Sequence, residues 1–193
     1  MQKSIRLSTM TTSAPALFWP VVRTFAAGML VAVCAHLTVP LLFTPVPFTL
    51  QPMAVLIVGL LLPRKEAFAA LVLYLVEGAV GLPVFTPGIG GLAQLFGPTG
   101  GYLIAFPAIA VLASSIFRAG NRTFMNGILA AGIANVVLLA AGATWFGILT
   151  HASLSVVAHA TILPFLPGDA VKVCIAAGIA SSWTKVRTRL HQS

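Results

Sequence analysis

Only three residues of this 193-residue chain are acidic, Glu66, Glu77 and Asp169, against eleven lysines and arginines. Glu66 stands in Pro63-Arg64-Lys65-Glu66, where Arg64 or Lys65 can neutralise it. Asp169 and Lys172 stand in Pro167-Gly168-Asp169-Ala170-Val171-Lys172, three residues apart. That spacing puts both on one face of a helix. Such a pair can serve a helix start, the carboxylate stabilising the positive end and the ammonium balancing it. It can also bind, the carboxylate accepting N–H groups of a ligand and the ammonium attracting an anionic group; the two roles are compatible. Glu77 precedes Gly78-Ala79-Val80-Gly81 and has no cation beside it in sequence. An ionisable group at membrane depth costs a few kcal/mol and normally faces a cavity or a partner. A place in a pocket, or in holding Lys172, therefore accounts for Glu77 better than exposure to lipid.

Gln51, Gln94, Tyr102 and Asn135 are further polar residues near or within apolar runs, each suited to contacting a ligand or to hydrogen bonding between helices. Asn135 reads as the latter. Catalysis finds little support. Three of the four histidines fall at the edges of apolar runs and one in the C-terminal tail, with no serine motif and no H-E-x-x-H helix. Cys34 and Cys174 lie singly in apolar runs, without C-x-x-C spacing, so neither a metal site nor a disulfide is expected. The glycines between Gly88 and Gly101 lack the G-x-x-x-x-G-K-[ST] order of a phosphate loop. No cofactor is implied.

The elements that must hold these residues are membrane helices. The chain is 59% hydrophobic and 7% charged, with a mean hydropathy of +1.02, whereas soluble domains carry roughly a quarter charged residues. Apolar runs cover about Phe18 to Val39, Phe48 to Leu62, Ala67 to Leu82, Tyr102 to Phe117, Phe124 to Leu149 and Ala170 to Trp183. A span needs about 20 mostly apolar residues, so six spans nearly exhaust the length. The expected fold is an all-α integral membrane protein of six transmembrane helices. Residues 1–15 form a mobile cytoplasmic tail, 16–186 the membrane domain and 187–193 a basic cytoplasmic tail.

Charge sets the orientation, because cytoplasmic segments carry the Lys and Arg excess. With the N-terminus inside, inner segments hold Lys3, Arg6, Arg64, Lys65, Arg118, Arg122, Lys185, Arg187 and Arg189, with Arg23 near the inner end of the first helix. The outer connections hold none, and Lys172 is the one exception. The net charge of +8 is thus a matter of topology; the cations form no stripe for nucleic acid. The outer connections concentrate proline and glycine instead, including Pro45, Pro47, Pro52, Pro83, Pro87, Pro98 and the glycines from Gly88 to Gly101. Irregular backbone at membrane depth is tolerated only where protein or a water-filled cavity satisfies it, which predicts an outward-facing pocket. His151 and His159, eight apart, mark the segment Thr150 to Phe165 as an interfacial helix or lid. Gly28 and Ala32 in the first helix make a small-residue strip, suited to internal packing or to docking another membrane subunit.

Four ordered strings, Pro45-Val46-Pro47-Phe48-Thr49-Leu50-Gln51, Gly81-Leu82-Pro83-Val84-Phe85, Gly97-Pro98-Thr99-Gly100-Gly101-Tyr102 and Pro167-Gly168-Asp169-x-x-Lys172, closely resemble the BioY family from about His36 onward. These are biotin-specific substrate-binding subunits (S components) of energy-coupling factor (ECF) transporters. The resemblance implies six helices, capture of biotin at the extracellular side of a bacterial plasma membrane, and docking to a transmembrane coupling subunit that works with two ATPases. It also implies that Asp169 and Lys172 are the family's charged pair. Gln51, the loop glycines Gly90 and Gly91, and Tyr102 match motif positions, whereas Thr86-Pro87-Gly88-Ile89 departs from the family's more glycine-rich or polar loop. Biotin suits the residues: a carboxylate for the ureido N–H groups, Phe85 and aliphatic walls for the ring, and Lys172 for the tail carboxylate. The expected function is a biotin-binding subunit without chemistry of its own. The alternatives are a self-sufficient biotin carrier, with Glu77 and Asp169 as candidate proton carriers, or an S component for another vitamin.

Overall fold

The computed structural model describes residues 14–88 and 90–190, with side chains from Phe18 onward. The expected N-terminal tail lies almost wholly outside the described residues. The first helix, α1 (Ala14–His36), is followed by a two-residue strand, β1 (Thr38–Val39), paired antiparallel with β2 (Phe48–Thr49). Next come α2 (Gln51–Leu61) and α3 (Arg64–Ala79), separated by Pro63. A short α4 (Gly91–Leu95) leads to α5 (Gly100–Ala119) and α6 (Phe124–Thr150). The chain closes with α7 (Leu154–Thr161) and α8 (Leu166–Leu190).

Local chemistry sets several of these limits. Pro52 sits in the first turn of α2, where its missing N–H costs nothing. The Thr123 hydroxyl caps α6 by accepting from the Asn126 N–H at 3.3 Å. His151 ends α6 in a left-handed conformation, φ 53°.

The long helices pack side by side in the order α1, α3, α5, α6, α8, and α2, packed against α1, α5, α6 and α8, closes the ring between its two ends. Almost every side chain of α2 is therefore buried. Small residues set the spacing: Gly59 leaves room for the α5 backbone at Ala110, and Gly127 for Ala177 of α8. Helices α5 and α6 interlock, the Tyr102 ring lying over Gly142 and Trp145 over Gly101. The outer surface of the ring is apolar, with Phe25, Val33, Ile104, Ile133, Val136 and Ile175 exposed.

Three described helices, the Phe18–His36 part of α1, α5 and α6, are long and apolar enough to cross a membrane, and α7 with α8, bent by 48°, counts as a fourth where the two are taken as one broken span. The six apolar runs of the sequence correspond to α1, α2, α3, α5, α6 and α8, of which α2 and α3 are short, 11 and 16 residues. The eleven residues of α2 rise only about 16 Å, against about 30 Å of hydrocarbon. The chain on either side of α2 and α3 folds into the bundle as irregular backbone, which hydropathy alone counts as span or loop.

Two expectations are corrected. Glu66 pairs with Arg23 across α1 and α3, at 2.9 Å, and not with Arg64 or Lys65; residues next to it in sequence leave a helix in other directions. Gly28 and Ala32 are both buried, Gly28 facing the Ala70 carbonyl of α3, so internal packing occupies this strip and it is no docking face. Helix α8 continues past residue 186, through Arg187 and Arg189 to Leu190.

Candidate functional site

One end of the bundle carries Arg64, Lys65, Arg118, Arg122, Arg187 and Arg189; toward the opposite end lies a small, partly open cavity of about 50 Å³. Its walls come from the segment Val46 to Pro52, Thr86, Gln94, Thr99, the α5 residues Tyr102, Leu103 and Phe106, Leu138 and Leu139 of α6, Phe165, and Asp169 with Lys172 of α8.

The charged pair is the centre of the site. Lys172 Nζ donates to Asp169 Oδ1 at 3.0 Å, and both residues are almost completely buried, 3% and 4% exposed. The second carboxylate oxygen, Oδ2, accepts from Asn135 Nδ2 at 3.2 Å, so α6 orients the α8 carboxylate. The ammonium lies 4.0 Å from the centre of the Phe48 ring, a cation–π contact. Phe48 in turn stacks on Phe165, centroids 6.1 Å apart and planes 6° apart, and fits because Gly168 has no side chain to meet it. The two charges thus form a neutral unit with fixed geometry, which is the condition for holding ions away from water.

A second polar cluster surrounds the start of α2. Gln51 Nε2 donates to the Tyr74 hydroxyl at 2.7 Å, while Gln51 Oε1 accepts from Thr86 Oγ1 at 3.0 Å and Thr49 Oγ1 at 3.3 Å. The Tyr102 hydroxyl donates to the Thr161 carbonyl at 2.8 Å, tying α5 to α7 beside the cavity. Gln94 also lines the cavity, and its buried Oε1 has no protein partner. Between these polar groups the walls are apolar, with Phe106, Leu103, Leu138 and Leu139. An apolar cavity with a few placed donors and acceptors suits a compact ligand with one polar end.

The structure brings Asp169, Lys172, Gln51, Gln94 and Tyr102 together on this cavity. It does not bring Glu77 there. Glu77 is half-buried on α3, its side chain lines no part of the cavity, and Lys172 is held by Asp169 instead. Phe85 is buried behind the wall, its ring edge-on to Tyr74 at 5.3 Å and lodged against Gly78. It supports the residue that holds Gln51 and is no wall for a ring. Gly90 and Gly91, at φ 64° and 62°, supply the left-handed backbone that turns the chain into α4 and so delivers Gln94, without lining the cavity themselves. Among the described residues no three His, Cys, Asp or Glu side chains are grouped together. Sequence reasoning missed Thr86 and Phe165 as wall residues, because an isolated hydroxyl or ring in an irregular segment carries no periodicity. Thr49 and Thr99 did stand inside the motif strings.

The BioY family model matches residues 6–189. The chain belongs to the BioY family. The biotin transporter BioY2 of Lactococcus lactis is 33% identical over 146 residues, 76% of this chain and 79% of its own length. The biotin transporter BioY of Thermotoga maritima is 34% identical over 152 residues, 78% and 87% of the two chains. BioY of Rhodobacter capsulatus is 32% identical over 174 residues, 83% and 90%. A crystal structure of the S-component for biotin from an ECF-type ABC transporter superposes with a TM-score of 0.81 at 24% identity, covering 90% of this chain and 94% of that one. The fold is therefore that of an S component. These BioY relatives are transporters and not enzymes, in keeping with a site that presents binding groups and no nucleophile with its base.

Proposed function

We propose that this chain is the biotin-binding membrane subunit of an ECF-type importer. In this reading six helical segments cross a bacterial plasma membrane, both termini are cytoplasmic, and the cavity receives biotin from the extracellular side. A transmembrane coupling subunit and two ATPases supply the energy. The placement of Arg64, Lys65, Arg118, Arg122, Arg187 and Arg189 at one end supports the orientation.

The observation that carries the ligand assignment is the buried pair, a donor and an acceptor 3.0 Å apart in an otherwise apolar cavity. The ureido ring of biotin presents a carbonyl oxygen and an N–H side by side, the complement of Lys172 and Asp169. The pair is already neutral, so a second carboxylate beside Lys172 would leave a buried net negative charge, which is costly. The ureido end, which is uncharged, leaves the balance intact. In this assignment Lys172 meets the ureido carbonyl, which revises the expectation that it takes the tail carboxylate. The apolar walls at Phe106, Leu138 and Leu139 take the thioether ring, and the tail points toward the mouth.

Binding of radiolabelled biotin to the purified chain, with thiamine and riboflavin as competitors, tests the substrate. Only unlabelled biotin should displace the label. Losing one charge-assisted hydrogen bond costs about 1.5–3 kcal/mol, so Lys172→Ala should weaken biotin and biotin methyl ester alike, by about 10- to 100-fold. An ester affinity that ignores Lys172 would return the ammonium to the carboxylate. In liposomes the chain alone should give no ATP-dependent uptake; uptake without added subunits would favour a self-sufficient carrier.

A further inference from the structure

At the basic end, far from the cavity just described, α8 and the ends of α2 and α5 leave two adjoining hollows of about 410 and 660 Å³. Both are lined by Leu61, Arg118, Trp183 and Arg187; the first adds Arg122, Leu60 and Phe117, and the second Arg23 and Leu190. Arg118 is fixed in place. Its Nη2 donates to the Leu61 carbonyl at 3.0 Å, and its Nε to the Leu62 carbonyl at 3.3 Å and Ser114 Oγ at 3.1 Å. Among the described residues Arg122 and Arg187 make no ion pair. The described carboxylate at this end is Glu66, already bound to Arg23 at 2.9 Å. Arg122 also stands in the left-handed region, φ 51°, one residue after Asn121, a type far better suited to it.

Three guanidinium groups around one cleft repel one another unless an anion comes between them, and guanidinium forks match phosphate oxygens in pairs. Beside the cations the first hollow is mostly polar, with Thr184 and Thr188, whereas the second is apolar, with Leu61, Leu62, Pro63, Val186 and Leu190, and the exposed Trp183 lines both. Tryptophan favours the headgroup level of a bilayer. A soluble phosphate needs no such apolar wall, whereas an acyl chain does. We infer that this cleft binds the phosphate headgroup of an anionic phospholipid, with its acyl chain along the α2, α5 and α8 walls. The inference rests on the proposed placement of the basic end at the cytoplasmic leaflet, where basic pockets between helices take anionic headgroups.

The test is native mass spectrometry of the full chain released from nanodiscs of phosphatidylcholine with one-fifth phosphatidylglycerol or cardiolipin. The wild type should retain the anionic lipid and not phosphatidylcholine. An arginine at the membrane surface contributes about fivefold, so Arg122→Gln with Arg187→Gln should lower retention by roughly 20-fold, while Arg64→Gln with Lys65→Gln, removing the same charge outside the cleft, should change it by no more than about twofold. Equal retention by both double variants overturns the inference. Displacement of the lipid by millimolar inorganic phosphate overturns the lipid part and leaves a simple anion site. If the cleft variant keeps its lipid but loses association with a coupling subunit, the surface docks a protein and the inference falls. Biotin affinity of the same samples separates this inference from the proposed function: the cleft variant should bind biotin as the wild type does, and failure of biotin binding in every sample would sink the function alone.

Discussion

Asp169 and Lys172 hold each other inside this protein, with Asn135 completing the carboxylate and Phe48 covering the ammonium. Removing one partner strands a buried charge, at a cost of about 3–5 kcal/mol, whereas removing both need cost little. Asp169→Asn and Lys172→Met should therefore each lower the thermal transition of the purified chain by several degrees, and the double substitution should recover most of that loss. Biotin binding should not recover with it. A double variant as unstable as its singles would mean that the two side chains do not stabilise each other. Asn135→Ala belongs at the same scale. It leaves Asp169 Oδ2 without its partner, at about 1–3 kcal/mol, and should weaken biotin about tenfold through a freed carboxylate; an unchanged affinity would reduce Asn135 to helix packing. The pair was legible in the sequence because a cation and an anion isolated amid apolar residues have no bland surface role. Asn135 was legible as a hydrogen-bonding residue between helices, but its pairing with Asp169 and that of Phe48 with Lys172 were not, since these contacts join residues 34 and 124 positions apart.

Among the elements, α5 and α6 place the wall of the cavity through glycine. The Tyr102 ring occupies the space where Gly142 would carry a side chain, and from there its hydroxyl reaches Thr161 on α7. Gly142→Ala forces the ring aside. Overpacking of this kind costs about 1–3 kcal/mol, so the variant should melt earlier and bind biotin several-fold more weakly. Gly132 on the same helix has open space around it. Gly132→Ala should leave binding unchanged and stabilise by about 0.5–1 kcal/mol through helix propensity. Equal effects of the two substitutions would show that α6 glycines act through propensity alone. Hydropathy made α1, α5 and α6 plain in the sequence, because each is a long apolar run ended by a turn. It did not reveal α4, five residues between glycines, nor that Phe85 turns inward behind Tyr74. A run of apolar residues signals burial and says nothing about which neighbour a ring meets.

For the molecule as a whole, function turns on which end faces which side of the membrane, and that depends on how α2 crosses. Helix α2 is too short to span, so its crossing depends on the segment from Leu37 to Leu50 entering the bundle with it, anchored by the β1–β2 pair and by Thr44, whose hydroxyl donates to the Ala160 carbonyl. If that entry stopped short of a crossing, Arg64 and Lys65 would face the opposite side from the arginines of α5 and α8. Single cysteines at Arg64, Arg122 and Arg189, and at Leu42 and His151, in a chain with Cys34→Ala and Cys174→Ala, would report this through a membrane-impermeant maleimide. Leu42→Cys and His151→Cys should label in intact cells, since both residues are exposed at the end opposite the arginines. The three arginine positions should label only after the membrane is opened. Labelling of Arg64→Cys from outside, with Arg122→Cys and Arg189→Cys still protected, would show that α2 and α3 form a re-entrant hairpin. The cavity would then be built from a half-crossing, and the charge pattern would have misled through Arg64 and Lys65 alone.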